Sequence, residues 1–270
     1  MQHSQIAMYV TVNGSGPYEF MVDTGAQVTI MDLALADELK LEAKGSIGVI
    51  AVTNYAKVPL VSAAVVEAGP VAVHDLQIAV EGLGQIQVQN PNLRGILGSN
   101  FLSRFDLLID HGHKMLCFDD SRQMQQAMHG ERVPLLGKSD QQGGLAFAKP
   151  ILVSVHLPGD GPEGTVLRVD SGSNVPVLFV DRHPDSLTWL QNNRMMHGST
   201  AGNAAQVSYA VTPARTVKLT AHRQMEVAFL TPISAGRPIA KAGEDGLLPT
   251  TLFSRVFISL ADRFVMFDPR

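Results

Sequence analysis

Cysteine is almost absent. Cys117 is the only one in 270 residues, which excludes an internal disulfide and leaves nothing from which to build a cysteine-ligated zinc or iron–sulfur site. Its setting, Met115-Leu116-Cys117-Phe118, reads as a small core residue rather than a reactive thiol. Long apolar runs are missing too. The window from Val49 to Val73 is rich in Val and Ala, but Asn54, Lys57 and Glu67 interrupt it, so no bilayer span is expected. The start of the chain has neither a basic stretch nor an apolar centre, so no signal peptide is read there. A soluble protein is expected, its location open, with a periplasmic or secreted setting following if a leader has been removed. Charge of one sign is equally scarce: the formal net charge is −4 and no basic cluster stands out, which leaves nucleic acid without an electrostatic footprint.

What is present is a globular mixture, 45% hydrophobic and 17% charged, written mostly in strand language. Ile6 to Val12 and Tyr18 to Val22 are β-rich runs split by the turn cluster Asn13-Gly14-Ser15-Gly16-Pro17. A helix is expected from Asp32 to Lys40, capped by Asp32. Val58 to Val66 and Val71 to Val80 read as strands around a Gly69-Pro70 turn. A short helix near Ser99 and two strands, Asp106 to Asp110 and Lys114 to Phe118, close the first half. The stretch from Asp119 to Gly144 turns polar, with one apolar patch at Val133 to Leu136, and reads as a connector.

The second half repeats the first. Asp23-Thr24-Gly25 returns as Asp170-Ser171-Gly172, 147 residues later, each triplet directly after an apolar run. Gly95-Ile96-Leu97-Gly98 returns as Gly246-Leu247-Leu248-Pro249, 151 residues later, so the two halves differ by only four inserted residues. One acid-hydroxyl-glycine triplet is weak evidence, arising by chance in roughly a tenth of chains this long and equally at home in a turn. Two of them, in register with a second pair of landmarks, describe a duplication. The expected organisation is an N-terminal lobe over 1–120, a connector over 121–148 and a C-terminal lobe over 149–270.

The residue types suit one chemistry. An aspartate at a strand end sits on rigid backbone and projects into a cleft. Glycine two positions on lets the chain turn and backbone amides approach the carboxylate, while Thr24 or Ser171 can bond across to the opposite loop. Two carboxylates a few ångströms apart repel by about 4 kcal/mol at an effective dielectric of 20, or about three pKa units. One therefore keeps a proton while the other ionises. A water between them has a base and an acid at hand, enough to hydrolyse an amide with no metal and no cofactor.

On Val22-Asp23-Thr24-Gly25-Ala26, Gly95-Ile96-Leu97-Gly98, Val169-Asp170-Ser171-Gly172-Ser173 and Gly246-Leu247-Leu248-Pro249, the chain resembles the retropepsin/pepsin clan of aspartic peptidases. It is most similar to bacterial single-chain proteins with two retropepsin-like repeats. The resemblance covers nearly everything but the connector. It implies a mainly β, bilobal pepsin-like fold with two pseudo-twofold-related lobes and a few short helices. It implies Asp23 and Asp170 as catalytic, with Thr24, Gly25, Ala26, Ser171, Gly172 and Ser173 supporting the active-site loops and Ile96-Leu97 and Leu247-Leu248 threading beneath them. The substrate class it implies is an extended polypeptide, cut by a single chain acting as its own pseudo-dimer. A peptide-binding protein that kept the fold without catalysis is the competing reading. Pro249 departs from the family's usual glycine, so the second supporting loop is expected to differ. The flap of the family falls on Gly45 to Pro59, with Tyr55 as the residue reaching the cleft, and its counterpart on Gly198 to Tyr209, read as a mobile loop.

Two further expectations concern individual side chains. Ala26 has no hydroxyl to offer the first carboxylate, whereas Ser173 has one for the second; Asp170 is accordingly expected to be the more acidic of the pair. His111-Gly112-His113 implies no third ligand and is read as a pair of exposed turn histidines, not a metal site.

Overall fold

The computed structural model describes residues 6–50, 55–119, 121–137, 150–179, 195–199, 206–232 and 243–270. The first half contains β1 (Ala7–Val12), β2 (Ser15–Val22), β3 (Thr29–Met31), α1 (Leu33–Glu38), β4 (Gly45–Ile50), β5 (Tyr55–Ala68), β6 (Val71–Val80), α2 (Gly84–Gln87), β7 (Leu93–Leu97) and α3 (Ser99–Leu102). Asp32 caps α1 as expected, its side chain accepting from the Ala34 amide. After these come β8 (Asp106–Asp110), β9 (Met115–Asp119), α4 (Ser121–Gln126) and β10 (Arg132–Pro134). The second half supplies β11 (Leu152–Val155), β12 (Thr165–Asp170), β13 (Val177–Leu178), β14 (Met195–Ser199), β15 (Gln206–Val211), β16 (Arg215–Lys218), β17 (Gln224–Val227), β18 (Leu230–Pro232), β19 (Gly246–Pro249), β20 (Phe253–Ser259) and β21 (Phe264–Pro269).

The duplication reappears strand for strand. One seven-stranded sheet runs β1-β2-β7-β3-β6-β5-β4 and the other runs β11-β12-β19-β13-β18-β15-β14. In each, the strand leading to an aspartate lies parallel to a Gly-aliphatic strand: Met21 opposite Ile96 and Val22 opposite Leu97, then Arg168 opposite Leu247 and Val169 opposite Leu248. Buried on both sides by neighbouring strands, these central segments read as continuous apolar runs rather than as alternation. The fold is mainly β and bilobal, of the pepsin-like kind. Among the described residues no helix is long and apolar enough to cross a membrane.

The closing strands of the two halves meet in a third sheet, ordered β10-β21-β20-β8-β9, with β20 antiparallel to β8. The patch at Val133 to Leu136 is therefore not mere connector: β10 adds an edge strand to this shared sheet through Val133 opposite Val265. A four-residue apolar patch in a polar stretch is too short to show a period, and only its distant partner makes it a strand. The β16–β17 hairpin was likewise not foreseen.

Within the shared sheet, Arg255 of β20 and Asp268 of β21 are cross-strand partners in an ion-pair cluster. Asp268 accepts from Arg255 Nη2 at 2.5 Å and from the His129 amide at 2.9 Å. Burial alone would raise the Asp268 pKa, but the His129 amide and the Arg255 guanidinium outweigh it and hold the carboxyl below its ordinary value. A depressed folded pKa gives stability that is present above the unfolded value and is lost as pH falls through the folded one. Asp268→Asn is therefore expected to cost about 2 kcal/mol at neutral pH and little in strong acid. Urea denaturation of both proteins across that range checks it.

Candidate active site

The two triplets form short loops at the C-terminal ends of β2 and β12, and the fold brings them face to face. Thr24 Oγ1 donates to the Val169 carbonyl at 2.9 Å, and Ser171 Oγ donates to the Val22 carbonyl at 2.8 Å. The same hydroxyls accept in return: the Thr24 amide donates to Ser171 Oγ and the Ser171 amide to Thr24 Oγ1, both at 3.0 Å. Four reciprocal bonds between residues 145 to 149 positions apart lock one loop to the other. Both hydroxyls are buried and doubly engaged, so removing either leaves a buried backbone group without its partner. Ser99 supports the first loop from below, its hydroxyl donating to the Thr24 carbonyl at 3.0 Å and its amide to the Ala26 carbonyl at 2.7 Å.

Each carboxylate is held by the amides of its own loop. Asp23 Oδ1 accepts from Gly25 N at 2.8 Å and Ala26 N at 3.1 Å. Asp170 Oδ1 accepts from Gly172 N at 2.8 Å and Ser173 N at 2.9 Å. The glycines serve a purpose that the sequence reading only half captured. A Cβ on Gly25 would lie 2.5 Å from the Asp170 carboxyl carbon, and one on Gly172 would clash in the same way with Asp23. Each aspartate thus packs against the Cα of the opposite glycine, and neither glycine adopts positive φ. Close approach, not backbone freedom, requires them.

The expected asymmetry of the pair is overturned. Ser173 Oγ donates to the Val175 carbonyl at 2.8 Å, so its hydroxyl braces its own loop and not the carboxylate. Asp170 is the less acidic member, pushed up to about 7 by burial and then by the negative charge of Asp23. Asp23 is also raised by burial, but its loop amides and a hydrogen bond from Asp170 pull it back. The pair therefore shares one proton, which the charge of Asp23 weights toward Asp170.

The supporting loops differ as expected at Pro249. In the first lobe the chain passes so close that a Cβ on Gly98 would lie 2.5 Å from the Val28 carbonyl carbon, and the Gly98 amide donates to Thr29 Oγ1 at 3.1 Å. Proline has neither the space nor the N–H for that contact. Pro249 instead pairs with Asp170 at the end of β19. Beside it, Thr250 Oγ1 lies 3.1 Å from His111 Nε2. The reading of His111 as an exposed turn residue is thus corrected: it is half-buried against the second supporting loop. His113 does face solvent, bonded to Asp110 at 2.9 Å. Among the described residues no three potential ligands gather as a metal site.

Both flap candidates lie on hairpins. β4 pairs with β5 from Gly45 opposite Leu60 to Ile50 opposite Tyr55, which puts Tyr55 at the tip end; its side chain lies outside the described residues. In the second half, β14 pairs with β15 from Met195 opposite Ala210 to Ser199 opposite Gln206. Where a mobile loop was expected over Gly198 to Tyr209, there are two strand segments, 200–205 lying outside the described residues, and Tyr209 is buried. The composition of Gly, Ala and Ser hides two strand segments that pair with each other, β15 continuing against β18 from Tyr209 to Val211.

One pair of residues near the dyad escaped the sequence reading. Arg168, on β12, and Glu244, just before β19, form a buried ion pair. The only signal was a lone charge inside the apolar run Val166-Leu167-Arg168-Val169.

Comparison with known proteins agrees with this geometry. Residues 8–104 match the family model described as "gag-polyprotein putative aspartyl protease", a span that includes the first triplet and the first Gly-aliphatic block. No curated protein matches the chain. With that match in the first half and the same strand order in the second, the chain is similar to retropepsin-like aspartyl proteases in its first lobe and repeats that lobe's topology in its second.

Proposed function

We propose that this protein is an aspartic endopeptidase in which Asp23 and Asp170 activate a water between them. The observation that carries the reading is the facing carboxyl pair, each member held by two amides of its own loop and packed against the glycine of the other. Asp23, ionised, takes a proton from the water as its oxygen attacks the peptide carbonyl carbon. Asp170 gives its proton to the carbonyl oxygen. The resulting diol collapses with cleavage of the C–N bond, the amine leaving with the proton held by Asp23 while a diol hydroxyl returns one to Asp170, which restores both groups. Thr24 and Ser171 hold the two loops in register throughout, which keeps the reacting groups within the tolerance that positioning demands.

The substrate in this reading is an extended polypeptide lying between the lobes as an added strand, with the β4–β5 and β14–β15 hairpins covering it. One chain suffices, since it carries both halves of the site. The test is a mixed peptide library incubated with the protein from about pH 3 to about pH 8. Internal cleavage is expected, declining on the alkaline side as pH rises through about 7, where Asp170 loses its proton. No cleavage at any pH would overturn the proposal in favour of peptide binding without catalysis.

A further inference from the structure

One buried place beside the dyad differs between the halves in charge. Two residues before each aspartate, β2 carries Met21 and β12 carries Arg168. Two residues before each matched glycine, Gly95 and Gly246, stand Leu93 and Glu244. In the first lobe Met21 and Leu93 belong to one apolar cluster. In the second their counterparts are a salt bridge, 7% and 3% exposed. Replacing an apolar pair by a buried ion pair takes two charges out of water and gives no assured gain in stability. This bridge is also not fully satisfied, since Arg168 Nε has no hydrogen-bond partner. Packing alone does not account for it.

The guanidinium reaches across the molecule. Arg168 Nη2 donates to Glu244, while Nη1 donates to the Gly25 carbonyl at 2.6 Å. Gly25 belongs to the other lobe, and its carbonyl shares a peptide unit with the Ala26 amide, which donates to Asp23 Oδ1 at 3.1 Å. We propose that Arg168, with Glu244 as its counter-ion, is a positioning residue for the dyad, fixing the Gly25–Ala26 peptide against Asp23 and placing a cation beside the carboxyl pair. The proposal rests on the dyad reading above and adds a third charged participant to it.

The charged groups facing the guanidinium are Glu244, from the segment before β19, and Asp23 and Asp170, from the two triplet loops. The strand positions paired with Arg168 on either side are Leu152 and Leu247, both uncharged. Asp245 is turned away to accept from the Val166 amide at 2.8 Å. Arg168 accordingly lowers the pKa of both carboxyls, against the burial that raises them.

The experiment copies the first lobe into the second, with the double variant Arg168→Met/Glu244→Leu, beside the single variant Glu244→Gln. Removing the cation should move the pH profile of cleavage upward by about one unit and lower kcat about tenfold with KM little changed. Glu244→Gln leaves the cation unneutralised and should move the profile the opposite way. Carboxyl titration followed by infrared spectroscopy, read on each variant and the parent, reports the same displacements without relying on turnover. A parent that cleaves nothing would therefore defeat the peptidase reading while leaving this one to the titration. Displacement of both variants in the same direction, or of neither, would overturn it. Should the double variant not fold, the direction of the Glu244→Gln shift decides alone.

Discussion

Replacing Asp170 by Asn is expected to lower kcat/KM by at least about 10³-fold and, at the same time, to make the folded protein more stable at neutral pH. The first effect follows from the proposed acid role, because an amide can neither lose nor regain the proton that the peptide carbonyl needs. The shape of the site survives, since the Asn oxygen still accepts from the Gly172 and Ser173 amides as Asp170 Oδ1 does. The second effect follows from linkage. A carboxyl whose folded pKa is raised from 3.8 to about 7 binds more protons folded than unfolded, so stability falls as pH rises between those values. Relief of that burden is on the order of 4 kcal/mol above neutrality and close to zero in acid, where both states are protonated. Thermal melts of the parent and variant at acid and neutral pH check the stability arm; peptide cleavage checks the other. Asp23→Asn should lose as much activity, and it should lower the Asp170 pKa by removing the neighbouring negative charge. Near-parental cleavage by either variant would sink the assignment of the pair.

The second large effect is expected from a single methyl group. Gly25→Ala and Gly172→Ala should each cost about 1–3 kcal/mol of stability and at least about 10²-fold in kcat/KM, because the added Cβ falls on the opposite carboxyl. The distance of 2.5 Å from Gly25 to the Asp170 carboxyl carbon leaves two outcomes. Either the aspartate swings away from its amides or the lobes part and strain the Thr24–Ser171 interlock. Both move a reacting group. Backbone strain is not the cause, as neither glycine has positive φ. Gly161→Ala is the control: nothing lies within 4 Å of its added Cβ, so cleavage and melting should be unchanged. Parental activity in Gly25→Ala would mean that the carboxyls do not work at this separation.

Much of the architecture is legible along the chain because strands and turns are local statements. Val71 to Val80 is read to the residue as β6, since an apolar run bounded by Gly69-Pro70 has one reading. Asp32 announces the start of α1 by its capping chemistry. The repeat announces the twofold arrangement because the same landmarks recur at nearly the same spacing. What failed to show was whatever depends on a partner far away in sequence. β10 is a strand only because β21 lies beside it, and the described segments of the second hairpin are strands through pairing with each other and, at Tyr209 to Val211, with β18.

The site divides in the same way. Residue types and spacing already paired Asp23 with Asp170 and made Thr24 and Ser171 candidates for bracing the loops, because a duplicated motif carries its geometry twice. Only tertiary structure decided which aspartate is less acidic. The hydroxyl of Ser173 turns to Val175, and burial together with the neighbouring charge of Asp23 raises Asp170 instead. Only tertiary structure, too, made partners of Arg168, Glu244 and Gly25, with Arg168 and Gly25 143 positions apart. Periodicity records the strand on which a residue sits and the face it occupies; electrostatics depends on distances through space, and those exist only once the two lobes have closed on each other.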